Sequence, residues 1–306
     1  SAEGLRQARE FQPLDDLAKH LSGSTPYTAN LGWRQGQPEL FIQSQLEGLG
    51  LKLPAPLNKS AASAMPLSIR SRVQNTGSNL QDRLQIDLGR VASVQYVRDL
   101  SGQTPRVLRG SMSLGNANGA LPPMPEAGVA ATITIDQFSV GEWQALWPAS
   151  QNAEASGKDN SAMQSYLPTR IGLQANTITA EGRTLHQVVA GGTRDGSQWQ
   201  ANIDAQELSG YFAFRPSLNN PPGQLFARLS RLNLPPSSAA EVETLLETPS
   251  AKLPALDIVV DELELRGKKL GRIEIEAINT DTPAPYSPNT AEWQLKKFNN
   301  QLPEGS

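Results

Sequence analysis

The sequence predicts a mainly β protein built on an elongated, twisted antiparallel β-sheet, with a short N-terminal helix and irregular crossing loops. Apolar and polar residues alternate from Leu253 to Ile278, which is the pattern of strands with one buried and one solvated face. The same pattern recurs upstream, at 171–188. The 25 glycines and 23 prolines among 306 residues are typical of many short strands joined by turns.

The two alternating stretches are copies of one unit. In each copy two predicted strands flank a turn that contains a glycine, and a tryptophan follows on the next predicted strand (Trp199 and Trp293). A repeated unit of this kind buries its apolar face mainly against neighbouring units. The matching positions, at one constant offset, are Leu173, Ile178, Gly182, Leu185 and Val188 in the first copy and Ile258, Leu263, Gly267, Leu270 and Ile273 in the second.

The remaining elements follow from local signals along the chain. Residues 5–22 predict a helix, because Leu14, Leu17 and Leu21 fall at helical spacing and Gly23 follows as a stop. Residues 142–147 predict a single helical turn. Alternation bounded by turn residues predicts further strands at 27–33, 39–45, 46–53, 66–73, 82–88, 92–98, 107–114, 130–138, 198–204, 208–215 and 223–232.

A composition shift divides the chain. Small polar residues replace apolar ones in 148–162, which predicts a flexible linker. The sequence therefore predicts a first β segment at 1–147, which includes the N-terminal helix, and a second at 163–306. The second segment contains the two repeat units, at about 168–232 and 253–306.

Composition excludes several classes of function. The formal net charge of −3 contains no long block of like charge, which argues against a nucleic-acid partner. The absence of cysteine excludes disulfides, thiolate metal sites and a cysteine nucleophile. No apolar run is long enough to cross a membrane as a helix. Because the chain begins without methionine and stops just after a predicted strand, we expect it to be a piece of a larger protein.

No residue cluster predicts catalysis, a metal site or a cofactor. His20 and His186 are far apart and stand in no ligand motif. The carboxylates at 257–276 occupy polar strand positions beside Lys and Arg, so a solvated face explains them better than a glycosidase-type acid–base pair. The repeat-linked placement of Trp199 and Trp293 favours packing over sugar stacking.

Two interpretations of the apolar face stay open on these grounds. A closed barrel or sandwich would make its residues ordinary core, whereas an open gutter would make them the lining of an apolar channel. Hydrocarbon chains suit such a channel, since moving them into water costs about 0.8 kcal/mol per methylene. The candidate groove residues are Ile86, Leu88, Ile133, Ile135, Leu173, Ile258, Val260, Leu263, Leu265, Ile273 and Ile275.

Four strings of the sequence resemble the YhdP family of AsmA-like proteins, which are related to TamB. They are LSGSTPYTA at 21–29, SQLEGLGLKLPAPLNK at 44–59, LPALDI at 253–258 and LELRGKKLGR at 263–272. The resemblance implies a periplasmic segment of a bridge protein that an N-terminal helix anchors in the bacterial inner membrane. It also implies that the twisted sheet curls into an open hydrophobic groove, so the open gutter becomes the expected fold. No catalytic residue is carried over from the family.

The resemblance further implies a function in phospholipid transport between the inner and outer membranes. The expected partners are phospholipids, neighbouring segments of the same full-length chain, and inner- and outer-membrane proteins at its ends. Lipid would slide passively, because each step exchanges one apolar contact for an equivalent one. The alternatives are a non-catalytic scaffold for outer-membrane biogenesis that holds no lipid, and a carbohydrate-active enzyme, for which the sequence offers no facing carboxylate pair.

Overall fold

The computed structural model describes residues 19–76, 79–102, 104–115, 121–146, 164–180, 182–216, 223–234, 254–281 and 291–302. These residues form seventeen strands and one short helix, so the prediction of a mainly β fold is confirmed. The chain divides into two compact units, Ser1–Gly182 and Arg183–Ser306. The predicted linker at 148–162 lies outside the described residues.

The first unit contains ten strands and the helix. Its elements are β1 (Leu21–Gly23), β2 (Thr28–Arg34), β3 (Gln37–Ser44), β4 (Leu49–Leu51), β5 (Leu67–Thr76), β6 (Asn79–Leu88), β7 (Ala92–Asp99), β8 (Arg106–Leu114), β9 (Gly128–Ser139), α1 (Val140–Leu146) and β10 (Arg170–Ala180). The strands from β2 to β10 form a twisted sheet in the order β2-β3-β5-β6-β7-β8-β9-β10, and β1 pairs with β4 separately.

The second unit is a run of seven strands in sequence order. They are β11 (Arg183–Asp195), β12 (Gln198–Asp204), β13 (Leu208–Arg215), β14 (Gln224–Leu234), β15 (Ala255–Leu265), β16 (Lys268–Asp281) and β17 (Ala291–Gln301). Each strand pairs with the next along the chain. In neither unit do the described strands close on themselves.

The pairing is mixed rather than purely antiparallel. Most neighbours are antiparallel, as predicted, but β8 with β9, β9 with β10 and β14 with β15 are parallel. Parallel neighbours need a crossover connection of about a dozen residues or more, and each of these three pairs is joined by a connection of that length or longer. Those connections cover 115–127, 140–169 and 235–254.

The prediction of a helix over residues 5–22 is wrong at its C-terminal end. Leu21–Gly23 forms strand β1, with Leu21 opposite Leu51 of β4. Leu21 is buried at 8% exposure, so tertiary packing outweighs the local helical spacing. Residues 5–18 lie outside the part of the chain that the structure describes. The predicted helical turn at 142–147 is found as α1.

The two copies of the repeat share their backbone geometry at the turn. Gly182 and Gly267 have φ angles of 77° and 76°, the left-handed region that glycine enters without steric cost. In both copies the strand before this turn is parallel to its predecessor, β10 to β9 and β15 to β14. The constant offset in the sequence thus corresponds to one recurring supersecondary arrangement.

Candidate functional site

The strand register of the first unit collects apolar residues on one side of the sheet, which we call the first apolar face. Residues opposite each other on paired strands project to the same side. The central row of this face is Ile42, Ile69, Ile86, Val94, Met112, Ala131 and Ile171. A flanking row contains Leu67, Leu88, Ala92, Leu114, Ile133 and Leu173, and the other flanking row contains Leu40, Leu84, Tyr96 and Val129.

The central row is not sealed by the described chain. Its side chains are half-buried, except for the small and buried Ala131. By contrast, Tyr96 and Val129 in the flanking row lie beneath another part of the chain and are only 6% and 0% exposed. Six half-buried aliphatic side chains in one row, four of them isoleucines, form an apolar surface that remains accessible.

The second unit has an equivalent surface, which we call the second apolar face. Its outer row is Trp199, Phe214, Leu225, Leu256, Ala277 and Leu295. The next row is Ala201, Phe212, Ala227, Ile258, Ile275 and Phe298, and a third contains Ile203, Leu229, Val260 and Ile273. Apolar side chains therefore cover one side of six consecutive strands.

Exposure varies systematically across the second apolar face. Leu229, Val260 and Ile273 are buried, because side chains of adjoining strands pack on one another there. At the margins the side chains are accessible: Phe298 is 58% and Leu295 is 53% exposed. Trp199 and Phe214 on the opposite margin are also exposed. The face is thus a packed centre between two apolar margins that face solvent.

Paired irregularities keep the apolar side continuous along the strands. On β15 the alternating apolar residues stand at even positions up to Val260 and at odd positions from Leu263 onwards. The register with β16 shifts between these two residues. Leu232 and Leu263 pack on the same cluster as Val260, so both remain on the second apolar face. The pairing of β14 with β15 skips Ser230 and Asp261. The register shift between β15 and β16 gives β15 one extra residue, which is a β-bulge and turns the following side chains over.

The same irregularity occurs in the first unit. The parallel pairing of β9 with β10 skips Asp136 and Asn176, and the Asn176 side-chain amide donates to an Asp136 carboxylate oxygen at 2.6 Å. Asn176 and Asp261 are related by the constant offset of the repeat. The polar residue at the irregularity is thus a shared feature of both copies.

The predicted groove residues divide between the two faces. Ile86, Leu88, Ile133, Ile135 and Leu173 belong to the first apolar face, and Ile258, Val260, Leu263, Leu265, Ile273 and Ile275 belong to the second. They do not contribute equally. Ile135, Val260 and Ile273 are buried at 9%, 3% and 6% exposure, whereas the others are half-buried.

Sequence reasoning missed the accessible aromatic side chains. Phe212, Phe214 and Phe298 lie on the second apolar face, and Trp199 stands opposite Phe214 rather than inside a core. A signal was present for Trp199 and Phe298, because each stands between polar residues, as one face of a strand requires. The indole N–H of Trp293 donates to the Pro254 carbonyl oxygen at 3.0 Å, and the packing prediction for this residue stays a prediction.

The reverse side of the second unit is charged and solvated. Glu274 accepts hydrogen bonds from Lys297 at 2.7 Å and from Arg272 at 3.0 Å. The hydrogen bond from Lys297, followed by that from Arg272, lowers the pKa of the Glu274 carboxyl below its ordinary value of 4.5. Arg228 and Asp257 form a further ion pair at 2.8 Å on this side. Such lattices of exposed charge keep the sheet soluble on its polar side.

The titratable residues form no recognisable catalytic or metal centre within the described ranges, where no cluster of three or more possible metal ligands occurs. His186 is paired instead with Glu207: its ring Nδ1 lies 2.5 Å from one carboxylate oxygen, and its backbone N–H donates to the other at 2.8 Å. A cleft of about 510 Å³ lies in the first unit. Its lining is mixed, with the apolar Pro56 and Ile135 beside the polar Asp136.

Comparison with known proteins identifies the family. Residues 2–305 match the family model described as YhdP protein. No curated protein and no solved structure matches the chain. None of the helices in the described part of the chain has the length and hydropathy needed to cross a membrane. The chain therefore belongs to the YhdP family, a lipid-transport family associated with the cell envelope.

Proposed function

We propose that this chain binds the acyl chains of phospholipids on its two apolar faces and contributes to phospholipid transport between the inner and outer membranes. The observation that carries the proposal is the accessible apolar surface of each unit, with the half-buried row from Ile42 to Ile171 in the first and exposed margins in the second. A surface of this extent on a folded protein calls for an apolar occupant. Family membership supports lipid as that occupant.

The energetics favour a hydrocarbon chain over a single specific ligand. Each methylene that leaves water for an apolar surface gains about 0.8 kcal/mol, wherever along the surface it lies. The central row of the first apolar face offers similar aliphatic side chains on successive strands. Binding is therefore strong in total but nearly uniform along the row, so lipid slides without a deep trap. Direction of transport has to come from outside this surface.

The reverse side of the second unit keeps its charged and solvated character in this function. On β16, Ile275 lies on the second apolar face, whereas its neighbour Glu274 is held by Lys297 and Arg272 on the other side. Lipid tails would contact the first residue and water the second. We place this activity in the periplasm, with the neighbouring segments of the full-length chain and membrane proteins at its ends as further partners.

The decisive experiment compares these two positions. A photo-crosslinking amino acid is incorporated at Ile275 or at Glu274 in cells, and lipid adducts on the purified chain are quantified by mass spectrometry. We expect phospholipid adducts at Ile275 and a yield at least about tenfold lower at Glu274, because strand neighbours point to opposite sides. Equal labelling at both positions would contradict a one-sided lipid surface.

A second measurement separates lipid binding from a purely structural function. Native mass spectrometry and lipid extraction of the purified chain should show co-purifying phospholipid. A chain that serves only as a scaffold for outer-membrane biogenesis would carry none. Its absence, together with absence of adducts at Ile275, would favour that alternative.

A further inference from the structure

The first apolar face has boundaries that define how a ligand lies on it. Its central row crosses the sheet from β3 to β10, and adjacent strands are about 4.8 Å apart, which gives a floor about 29 Å long. The floor runs perpendicular to the strands. Parts of the chain cover one section of each row beside it. On one side the covered residues are Leu67 and Leu88, and on the other they are Tyr96 and Val129.

The first cover is a cluster of leucines, which we call the leucine wall. Leu67 and Leu88, next to the central row, pack beneath it. Trp143 of α1 also packs on the cluster, and its ring stacks on that of Phe138 with centroids 5.9 Å apart. The buried Lys59 ties the wall together, because its ammonium group donates to the Leu49 carbonyl oxygen at 2.7 Å. The wall itself consists of Leu21, Leu46, Leu49, Leu51 and Leu53.

The second cover is the turn at 164–168, which we call the tyrosine wall. The ring of Tyr166 meets that of Tyr96 edge to face, with centroids 5.2 Å apart. The Tyr96 hydroxyl donates to the Tyr166 carbonyl oxygen at 3.1 Å, and the backbone N–H of Val107 donates to the Ser165 hydroxyl at 3.0 Å. Leu84 packs against the same cluster, and so do Val94 and Met112 at the adjoining edge of the central row. The turn is therefore fixed over the row that contains Leu84 and Tyr96.

A buried ion pair supports the tyrosine wall from behind. Arg98 donates to both carboxylate oxygens of Asp82, at 2.9 and 2.5 Å, and to the Tyr166 hydroxyl at 3.3 Å. Ser71 donates to Asp82 at 2.8 Å. Burial raises the pKa of Tyr96 to about 12, so its hydroxyl keeps the proton that it donates. These contacts hold the turn in one place.

We infer that the first apolar face is a lane for acyl chains that lie across the strands, confined between the leucine wall and the tyrosine wall, with Tyr166 as the residue that sets its width. This inference rests on the proposed function. The covered rows are each about 6.8 Å from the central row, since same-side residues are two positions apart along a strand. Carbon atoms of neighbouring hydrocarbon chains in contact are about 4 Å apart. The space between the two walls is therefore wide enough for the two acyl chains of one phospholipid side by side.

Three successive positions on β6 test the lane. Ile86 lies on the central row, Leu84 lies opposite Tyr96 on the row next to the tyrosine wall, and Gln85 lies on the reverse side. A photo-crosslinking amino acid is placed at each position in cells that contain natural phospholipid. We expect adducts at Ile86, a yield at least about fivefold lower at Leu84, and background at Gln85. In the Tyr166→Ala background, labelling at Leu84 should rise to the level at Ile86.

Matched variants separate the wall from the fold. Tyr166→Phe keeps the ring and loses only the hydroxyl that Arg98 contacts, so Leu84 should stay weakly labelled. If Tyr166→Ala fails to fold by circular dichroism, Ser165→Ala provides the second test, because it removes the acceptor for Val107 and should raise labelling at Leu84 about twofold or more.

The outcomes distinguish this inference from the proposed function. Equal labelling of Ile86 and Leu84 in the unmodified chain would overturn the wall and leave lipid binding in place. Labelling at Leu84 that stays low in folded Tyr166→Ala and in Ser165→Ala would also overturn it. Absence of adducts at Ile86, with Ile275 unlabelled as well, would remove the proposed function and the lane together.

Discussion

Replacing Phe298 by alanine should weaken lipid binding more than it weakens the fold. Phe298 is 58% exposed and lies opposite Ile275 on the second apolar face. Full burial of such a side chain contributes about 1.5–3 kcal/mol, so an acyl chain that covers the exposed fraction would gain about 0.9–1.7 kcal/mol from it. That difference corresponds to about four- to twentyfold weaker binding. The folded chain itself loses only the smaller, already buried part.

Val260 provides the matched control on the same face. It is 3% exposed, so Val260→Ala removes packed methyl groups and leaves a cavity, at a cost of about 2–3 kcal/mol in the free energy of unfolding. Lipid does not reach it, and binding should stay within about twofold of the unmodified chain. Phe298→Ala should therefore lose mainly lipid affinity, and Val260→Ala should lose mainly folding stability.

The assay measures both quantities on each purified variant. Urea unfolding followed by circular dichroism gives the free energy of unfolding, and a fluorescent phospholipid titrated into delipidated chain gives the dissociation constant. A Phe298→Ala variant that loses more folding stability than Val260→Ala, with unchanged lipid affinity, would show that Phe298 belongs to the core. The margin of the second apolar face would then not be a lipid surface.

Two further predictions concern charged groups. Asp82→Asn should lower the free energy of unfolding by about 3–5 kcal/mol, because it leaves the largely buried guanidinium of Arg98 without its carboxylate. The double variant Asp82→Leu with Arg98→Met should recover most of this loss, since it removes both charges. Urea unfolding measures both variants. A loss as small as that from a surface ion pair would refute the first expectation. Burial alone would raise the pKa of Glu207, but the hydrogen bonds from His186 lower that pKa below 4.5. The ionised carboxylate therefore stabilises the fold at pH values above the pKa of the unfolded chain. This stabilisation is lost as the pH falls through the pKa of the folded chain. The free energy of unfolding should therefore fall less steeply between pH 6 and about 3 in Glu207→Gln than in the unmodified chain. Identical slopes would show that the hydrogen bonds between His186 and Glu207 do not stabilise the fold.

The strands were predictable because their signal is local. Alternation at Leu84, Ile86 and Leu88 marks β6 without reference to any other part of the chain, and the register then places these residues on one side. Pairing direction was not predictable in the same way. Whether β9 runs parallel to β8 depends on the path of the connection at 115–127, and no residue in the strand itself records that path.

The irregularity on β15 was visible in the sequence but was not interpreted. An odd step between Val260 and Leu263 would place these residues on opposite sides of a regular strand. Apolar residues on both sides of that step require an extra residue, which the register shift confirms. A change of phase inside one apolar run is therefore a signal for a bulge.

The walls of the lane were beyond sequence reasoning. Tyr166 stands in no alternating pattern, and its contacts with Tyr96 and Arg98 join residues that are far apart along the chain. Leu21 was assigned to a helix because leucines at helical spacing precede it. Its partner Leu51 lies on a separate strand, and only the folded chain brings the two together.

The parallel placement of β10 and β15 affects how a protein of this type can grow. Each copy of the duplicated segment begins with a strand that continues in the direction of its predecessor, and the polar interruption at Asn176 or Asp261 travels with the copy. A tandem duplication of this segment would thus add strands that arrive with their own turn glycine, pairing direction and polar interruption. Lengthening by such a step leaves the hydrogen-bond ladder of the existing strands unchanged, because each new strand needs only the free edge of the last one.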